Sequence, residues 1–126
     1  MVDSQIIFTN NIAKLIIKAE ELGIGLTFGE AYRTIEQQYL YFYGRNLKLI
    51  DGELDVVKGK VRSKTLKSNH LRRLAVDFNF FIDGKLTYSH EKITELGAFW
   101  QALHPLNRWG GNFKFTDTPH FEMNVK

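Results

Sequence analysis

The run Leu74-Ala75-Val76-Asp77-Phe78-Asn79-Phe80-Phe81-Ile82 sets a carboxylate in the middle of a mostly apolar segment. Alternation along an extended chain places Ala75, Asp77, Asn79 and Phe81 on one face and Leu74, Val76, Phe78 and Phe80 on the other. Such a strand packs one face on a core and points Asp77 into a cleft. Burying an ionised carboxylate is costly unless it is paired or holds a metal. Partners are few, because the chain has no cysteine and only four histidines. His70 precedes the strand, and Asp117-Thr118-Pro119-His120-Phe121-Glu122 follows near the other end. Two His and one Asp form a nitrogen and oxygen ligand set that suits catalytic zinc with an open coordination position. Asp117, three residues before His120, is placed to serve as a general base beside such a metal. Asp117-Thr118-Pro119 reads equally well as a turn, since Asp accepts backbone amides and Pro fixes φ. The residues alone leave both readings open.

Several blocks resemble a known family: Ser68-Asn69-His70, Ala75-Val76-Asp77, Trp109-Gly110-Gly111 and Asp117-Thr118-Pro119-His120-Phe121-Glu122. Tyr32-Arg33-Thr34, followed by Gln38, Leu40, Tyr41, Gly44 and Arg45, agrees with them. Together they are similar to the zinc peptidases of the D-alanyl-D-alanine carboxypeptidase group. That group includes vancomycin-resistance dipeptidases and the L-alanyl-D-glutamate endopeptidases used as phage endolysins, and it shares its fold with the Hedgehog signalling domain. The blocks run in family order from about residue 29 to residue 122. The resemblance implies that His70, Asp77 and His120 bind one zinc ion per chain, that Asp117 is the catalytic base, and that Arg33 contacts substrate and steadies the oxyanion. Gln38, Ser68 and Trp109 enter as substrate-binding positions by the same route, Trp109 being either a groove wall or a core aromatic. The Asp-x-x-His variant is the one that endolysin-type endopeptidases carry. One departure stands out: the wider family commonly has glycine three residues after the first histidine, where this chain has Arg73. The pair Arg72-Arg73 is read as solvated in preference to substrate-binding.

A chain of 126 residues, 44% of them hydrophobic, with 2 Pro and no low-complexity stretch, predicts one domain spanning 1–126 around a single core. The amino terminus lacks the basic and apolar regions of a secretory signal, and no segment approaches a membrane span. These features predict cytoplasmic synthesis, with access to the cell wall through a holin-type helper by analogy with endolysins. The net charge of +3 and pI near 9.2 are modest. Lys58, Lys60, Arg62, Lys64 and Lys67 cluster before His70, and their spacing reads as a solvated face better than as a phosphate track. A basic balance serves attraction to an anionic wall.

Periodicity predicts a helix over about Ile6–Leu22, a strand Ile24–Phe28, and a helix from about Thr34 to Tyr43 capped by Thr34 and stopped by Gly44. Arg33 then stands at a strand-to-helix junction, suited to a two-point grip on a carboxylate. Residues 46–67 read as a long loop carrying a small hairpin, Leu49–Leu54. Strands Ala75–Ile82 and Leu86–Tyr88 flank the turn Asp83-Gly84. Glu91–Leu103 is helical, with Ser89 as its cap and Ile93, Leu96, Phe99, Trp100 and Leu103 as its core stripe. His90 and His104 bracket that helix and read as structural. A last strand puts His120 and Glu122 on one face, so Glu122 can orient a metal-bound His120 from behind.

The expected fold is α+β, a small antiparallel sheet with helices on one face and zinc on the other, like the Hedgehog and D,D-peptidase domains. The expected function is zinc-dependent hydrolysis of the L-alanyl-D-glutamate bond of the peptidoglycan stem peptide by a monomer. The alternatives are a D,D-carboxypeptidase or dipeptidase on D-Ala-D-Ala termini and a zinc-binding module without turnover. A nucleic-acid-binding protein has only charge in its favour.

Overall fold

The computed structural model describes residues Met1–Lys126. Three helices, α1 (Val2–Glu21), α2 (Ile35–Tyr43) and α3 (Glu91–Leu103), accompany seven strands: β1 (Gly25–Phe28), β2 (Arg45–Ile50), β3 (Glu53–Lys58), β4 (Ala75–Ile82), β5 (Lys85–Thr87), β6 (Asn107–Trp109) and β7 (His120–Met123). The main sheet runs β1-β4-β7-β6 with β5 also on β4, and every pairing is antiparallel. The hairpin β2-β3 forms a separate two-stranded sheet.

One face of the main sheet is the core. Val76, Phe78, Phe80 and Ile82 of β4 and Phe121 and Met123 of β7 meet Phe8, Leu15 and Ala19 of α1 and Ile93, Leu96 and Trp100 of α3. Burying side chains of this size contributes roughly 1.5–3 kcal/mol each. Trp100 also spans the layers, since its Nε1 donates to the carbonyls of Arg108 and Glu122, each at 3.1 Å. No helix is long and apolar enough to cross a membrane.

The helix α1 starts at Val2, about a turn before the apolar periodicity does, and Gln5 Nε2 donates to the Arg72 carbonyl at 2.8 Å. Thr34 caps α2 by accepting from Gln37 N–H at 3.2 Å, and Gly44 ends it in the left-handed region that glycine occupies without steric cost. The cap of α3 is His90, whose Nδ1 accepts from Lys92 N–H, and not Ser89. His104 plays the same local role beyond the other end, accepting from Leu106 N–H. The 46–67 segment is more ordered than expected: Asp51 and Gly52, both at positive φ, close a hairpin of two six-residue strands. That geometry matches the twist of the flanking strands and lets pairing propagate well past Leu49–Leu54.

Candidate active site

Antiparallel register brings the chemistry together. Asp77 of β4 lies directly opposite His120 of β7, and Ala75 lies opposite Glu122. Opposed residues share a face, so Asp77, His120 and Glu122 all point away from the core. His70 arrives from a short 3₁₀ turn, Asn69–Arg72, which begins where Ser68 Oγ accepts the His70 N–H at 3.2 Å. The turn ends at Arg73, which holds φ 57°. That left-handed backbone is the region that glycine occupies without penalty. Arg73 bears a cost of about 1 kcal/mol there, and its guanidinium stacks 4.0 Å over the Tyr32 ring. Arg72 donates to Asn69 Oδ1 at 2.9 Å.

Asp77 is the hub of the cluster. One carboxylate oxygen lies 3.3 Å from His70 Nε2 and the other 3.1 Å from His120 Nδ1. The outward nitrogens of both rings are anchored: His70 Nδ1 lies 2.7 Å from the Ala31 carbonyl and His120 Nε2 lies 2.7 Å from Glu122 Oε1. A carbonyl or carboxylate only accepts, so each outer nitrogen carries a proton, while the inner nitrogens face Asp77, itself an acceptor. Arg108 in turn donates to Glu122 Oε2 from Nε at 2.8 Å and Nη2 at 2.5 Å.

One donor atom from each of His70, Asp77 and His120 lies within 4.8 Å of the others. Two imidazoles with fixed outer protons and one carboxylate meet the requirements of a metal site, down to the oriented second ring nitrogens. The residues present therefore fit a divalent metal held by His70 Nε2, Asp77 and His120 Nδ1.

Electrostatics bind the cluster tightly. Burial pushes the Asp77 carboxyl up, yet hydrogen bonds from His120 and His70 outweigh it and hold Asp77 well below the usual carboxylate range. Burial likewise opposes charge on His120, but the Asp77 and Glu122 carboxylates raise it to about 9. Glu122 is held low by His120 and Arg108 against its own burial. In the metal-free protein, His120 thus contributes stability that is full below 6.5, its ordinary value, and is lost as pH rises through about 9. Metal binding has the opposite sign, because it displaces the Nδ1 proton. Affinity is expected to rise about tenfold per pH unit between pH 6 and 8, in the presence of Asp77, Glu122, His70 and Asp117 as facing groups. Competition against a chromophoric chelator measures it, and a flat profile would contradict a protonated resting His120.

Asp117 is both a turn residue and a site residue. Its N–H donates to the Gly110 carbonyl at 2.8 Å, and its own carbonyl accepts from His120 N–H at 3.1 Å. A Cβ at Gly110 would fall 2.1 Å from the Asp117 carbonyl oxygen, so only glycine admits this approach. Trp109 Nε1 fastens the same turn through the Thr118 carbonyl at 2.8 Å. Asp117 keeps part of its surface in water at the rim. Partial desolvation, reinforced by the Asp77 charge, raises its pKa against the pull of His120, His70 and Arg33.

Arg33 is clamped before any ligand arrives. Its Nε donates to Glu30 Oε1, and its Nη1 donates to Gln38 Oε1 at 2.8 Å and Ser68 Oγ at 3.3 Å. Only Nη2 is without a protein partner, so the expected two-point grip is replaced by one free nitrogen on a fixed plane. Tyr41 completes the clamp, donating to Glu30 Oε2 at 2.8 Å beneath the guanidinium. Two expected substrate contacts are corrected. Gln38 is 0% exposed and has no surface for substrate; its Nε2 donates to Ser63 Oγ and the Thr65 carbonyl while its Oε1 holds Arg33. Trp109 is a core residue, 5% exposed, and acts by fixing the Asp117 turn. Ser68 is half-buried and supports both His70 and Arg33. Sequence reasoning gave no role to Glu30 or Arg108, and none to Tyr41 although it stands in a motif block. The Glu30-x-x-Arg33 spacing was the one local signal for the first.

An open sheet face with a His-Asp-His triad close enough to hold a metal, a rim carboxylate and a clamped arginine is the arrangement that a metal-dependent hydrolase requires. The family model for D-alanyl-D-alanine carboxypeptidase matches residues 61–123, half of the chain, and the chain belongs to that peptidase family. The structure is also similar to that of the Serratia marcescens L-Ala D-Glu endopeptidase ChiX, with a TM-score of 0.61 and 20% sequence identity, covering 91% of this chain and 79% of that one. No curated protein sequence matches the chain.

Proposed function

We propose that the chain is a zinc peptidase of the bacterial cell wall, a single catalytic domain over 1–126 that cleaves the L-alanyl-D-glutamate bond of the peptidoglycan stem in an endolysin-like role. The observation that carries this reading is the convergence of His70 Nε2, Asp77 and His120 Nδ1 with Asp117 in their field. The Asp-x-x-His spacing and the likeness to an L-Ala D-Glu endopeptidase support the choice of bond. Zinc, when bound, supplies Lewis acidity and lowers the pKa of water to about 7. Asp117 takes the proton of the attacking water and returns it to the leaving amine nitrogen. Arg33 Nη2 donates to the oxyanion that develops on the scissile carbonyl. Glu30, Gln38, Ser68 and Tyr41 keep that donor still.

Arg33→Lys is expected to lower kcat/KM by about 10²-fold, the scale of one lost oxyanion donor. An ammonium cannot hold Glu30, Gln38 and Ser68 and still aim a free N–H. Activity within a few-fold of the parent would remove Arg33 from the mechanism. The reading itself is tested by digesting purified peptidoglycan and identifying new termini by mass spectrometry. New D-glutamate amino termini are expected. Release of free D-alanine would support the second reading, a D,D-carboxypeptidase, which the description of the matching family favours.

A further inference from the structure

The open face continues past the triad. Arg108 of β6 lies opposite Glu122 of β7, and beside them a cavity of about 600 Å³ opens between the 65–72 segment and the β6-β7 edge. That is the size of a small-ligand site. Its wall carries three cations, Lys67, Arg72 and Arg108, and one carboxylate, Glu122. Both Glu122 oxygens are already engaged, one by His120 and the other by Arg108. Arg108 is therefore paired with Glu122, whereas Lys67 and Arg72 face the cavity without a carboxylate partner. Arg72 is steadied by one bond from Nη1 to Asn69 Oδ1, which leaves its Nε and Nη2 without protein partners. Lys67 Nζ and Arg108 Nη1 have none either. Uncompensated donors around a concave wall attract an anion.

The geometry points to an anion subsite here: the cavity receives the free carboxylate of an acidic peptide residue, held by Lys67, Arg72 and Arg108, while a neighbouring amide of that peptide lies over the His70-Asp77-His120 triad. The two remaining features of the wall fit a carboxylate on a short aliphatic stem. Leu66 and Leu71 line it alongside the cations and offer apolar surface to methylene groups. The flat guanidinium of Arg72 presents adjacent donors matched to a planar carboxylate. Glu122 lines the cavity and bonds to His120 Nε2 at 2.7 Å, which sets the acidic residue beside the bond to be cut. The peptide part of this assignment rests on the peptidase reading above, whereas the anion subsite does not.

Two experiments separate them. Glutarate titrated into isotope-labelled, metal-free protein is expected to shift the amides of residues 67–72, Arg108 and Asn124 in a saturable manner. Arg72→Gln and, independently, the more exposed Lys67→Gln should each weaken that binding about tenfold with an unchanged spectrum elsewhere. No saturable shift, or inorganic phosphate binding the same residues as tightly, overturns the carboxylate subsite. In the zinc-loaded enzyme, Arg72→Gln should raise KM about tenfold on an acidic peptide with kcat unchanged, and leave the peptide whose free carboxylate is amidated unaffected. Equal losses on both peptides overturn it. If no peptide is cleaved at all, the peptidase reading falls and the glutarate titration still decides the subsite.

Discussion

Asp117→Asn is expected to keep the fold and the bound zinc while losing about 10²–10⁴-fold in turnover, the usual contribution of a positioned proton acceptor. The substitution preserves side-chain shape, and the backbone bonds that hold the turn, Asp117 N–H to Gly110 and His120 N–H to Asp117, do not involve the carboxylate. What disappears is a rim carboxylate placed to accept a proton, whose pKa in the metal-free protein is raised by partial desolvation and by Asp77. Metal analysis and steady-state kinetics on one preparation suffice. An Asp117→Asn protein that is empty of metal would make Asp117 a ligand.

Asp77→Ala should be the more damaging change, because it removes a ligand and the hub of the cluster at once. Zinc occupancy and activity are both expected to fall below detection. The metal-free variant should also lose about 2–3 kcal/mol relative to metal-free parent, the scale of hydrogen bonds to a charged group. His70 Nε2 and His120 Nδ1 would then face a void left by their shared acceptor, and His120, left with Glu122 alone, should titrate below its present value of about 9. Thermal melts with and without chelator measure both parts. A variant that still melts higher with zinc than without would leave Asp77 outside the ligand set.

Much of this was legible locally. The alternation in β4 and β7 told which side chains share a face, Asp51-Gly52 and Asp83-Gly84 marked hairpins, and Thr34 and Gly44 marked the ends of α2. These signals are short-range: a strand's period, a cap and a turn depend on neighbouring residues. The resemblance in the blocks around His70, Asp77 and His120 then named the three candidate ligands that the fold brings together. What local pattern does not contain is register across the sheet. Asp77 and His120 are 43 residues apart, and a slip of one residue would send one of them into the core. Burial is equally non-local. Gln38 and Trp109 stand in motif blocks like residues that touch substrate, and packing put both out of its reach. In their place the fold assembled Glu30, Tyr41 and Arg108. Arg108 acts through Glu122, which sheet pairing brings to it, and Tyr41 reaches Glu30 across the strand-to-helix junction; only Glu30 meets its partner, Arg33, at a spacing a linear reading can see.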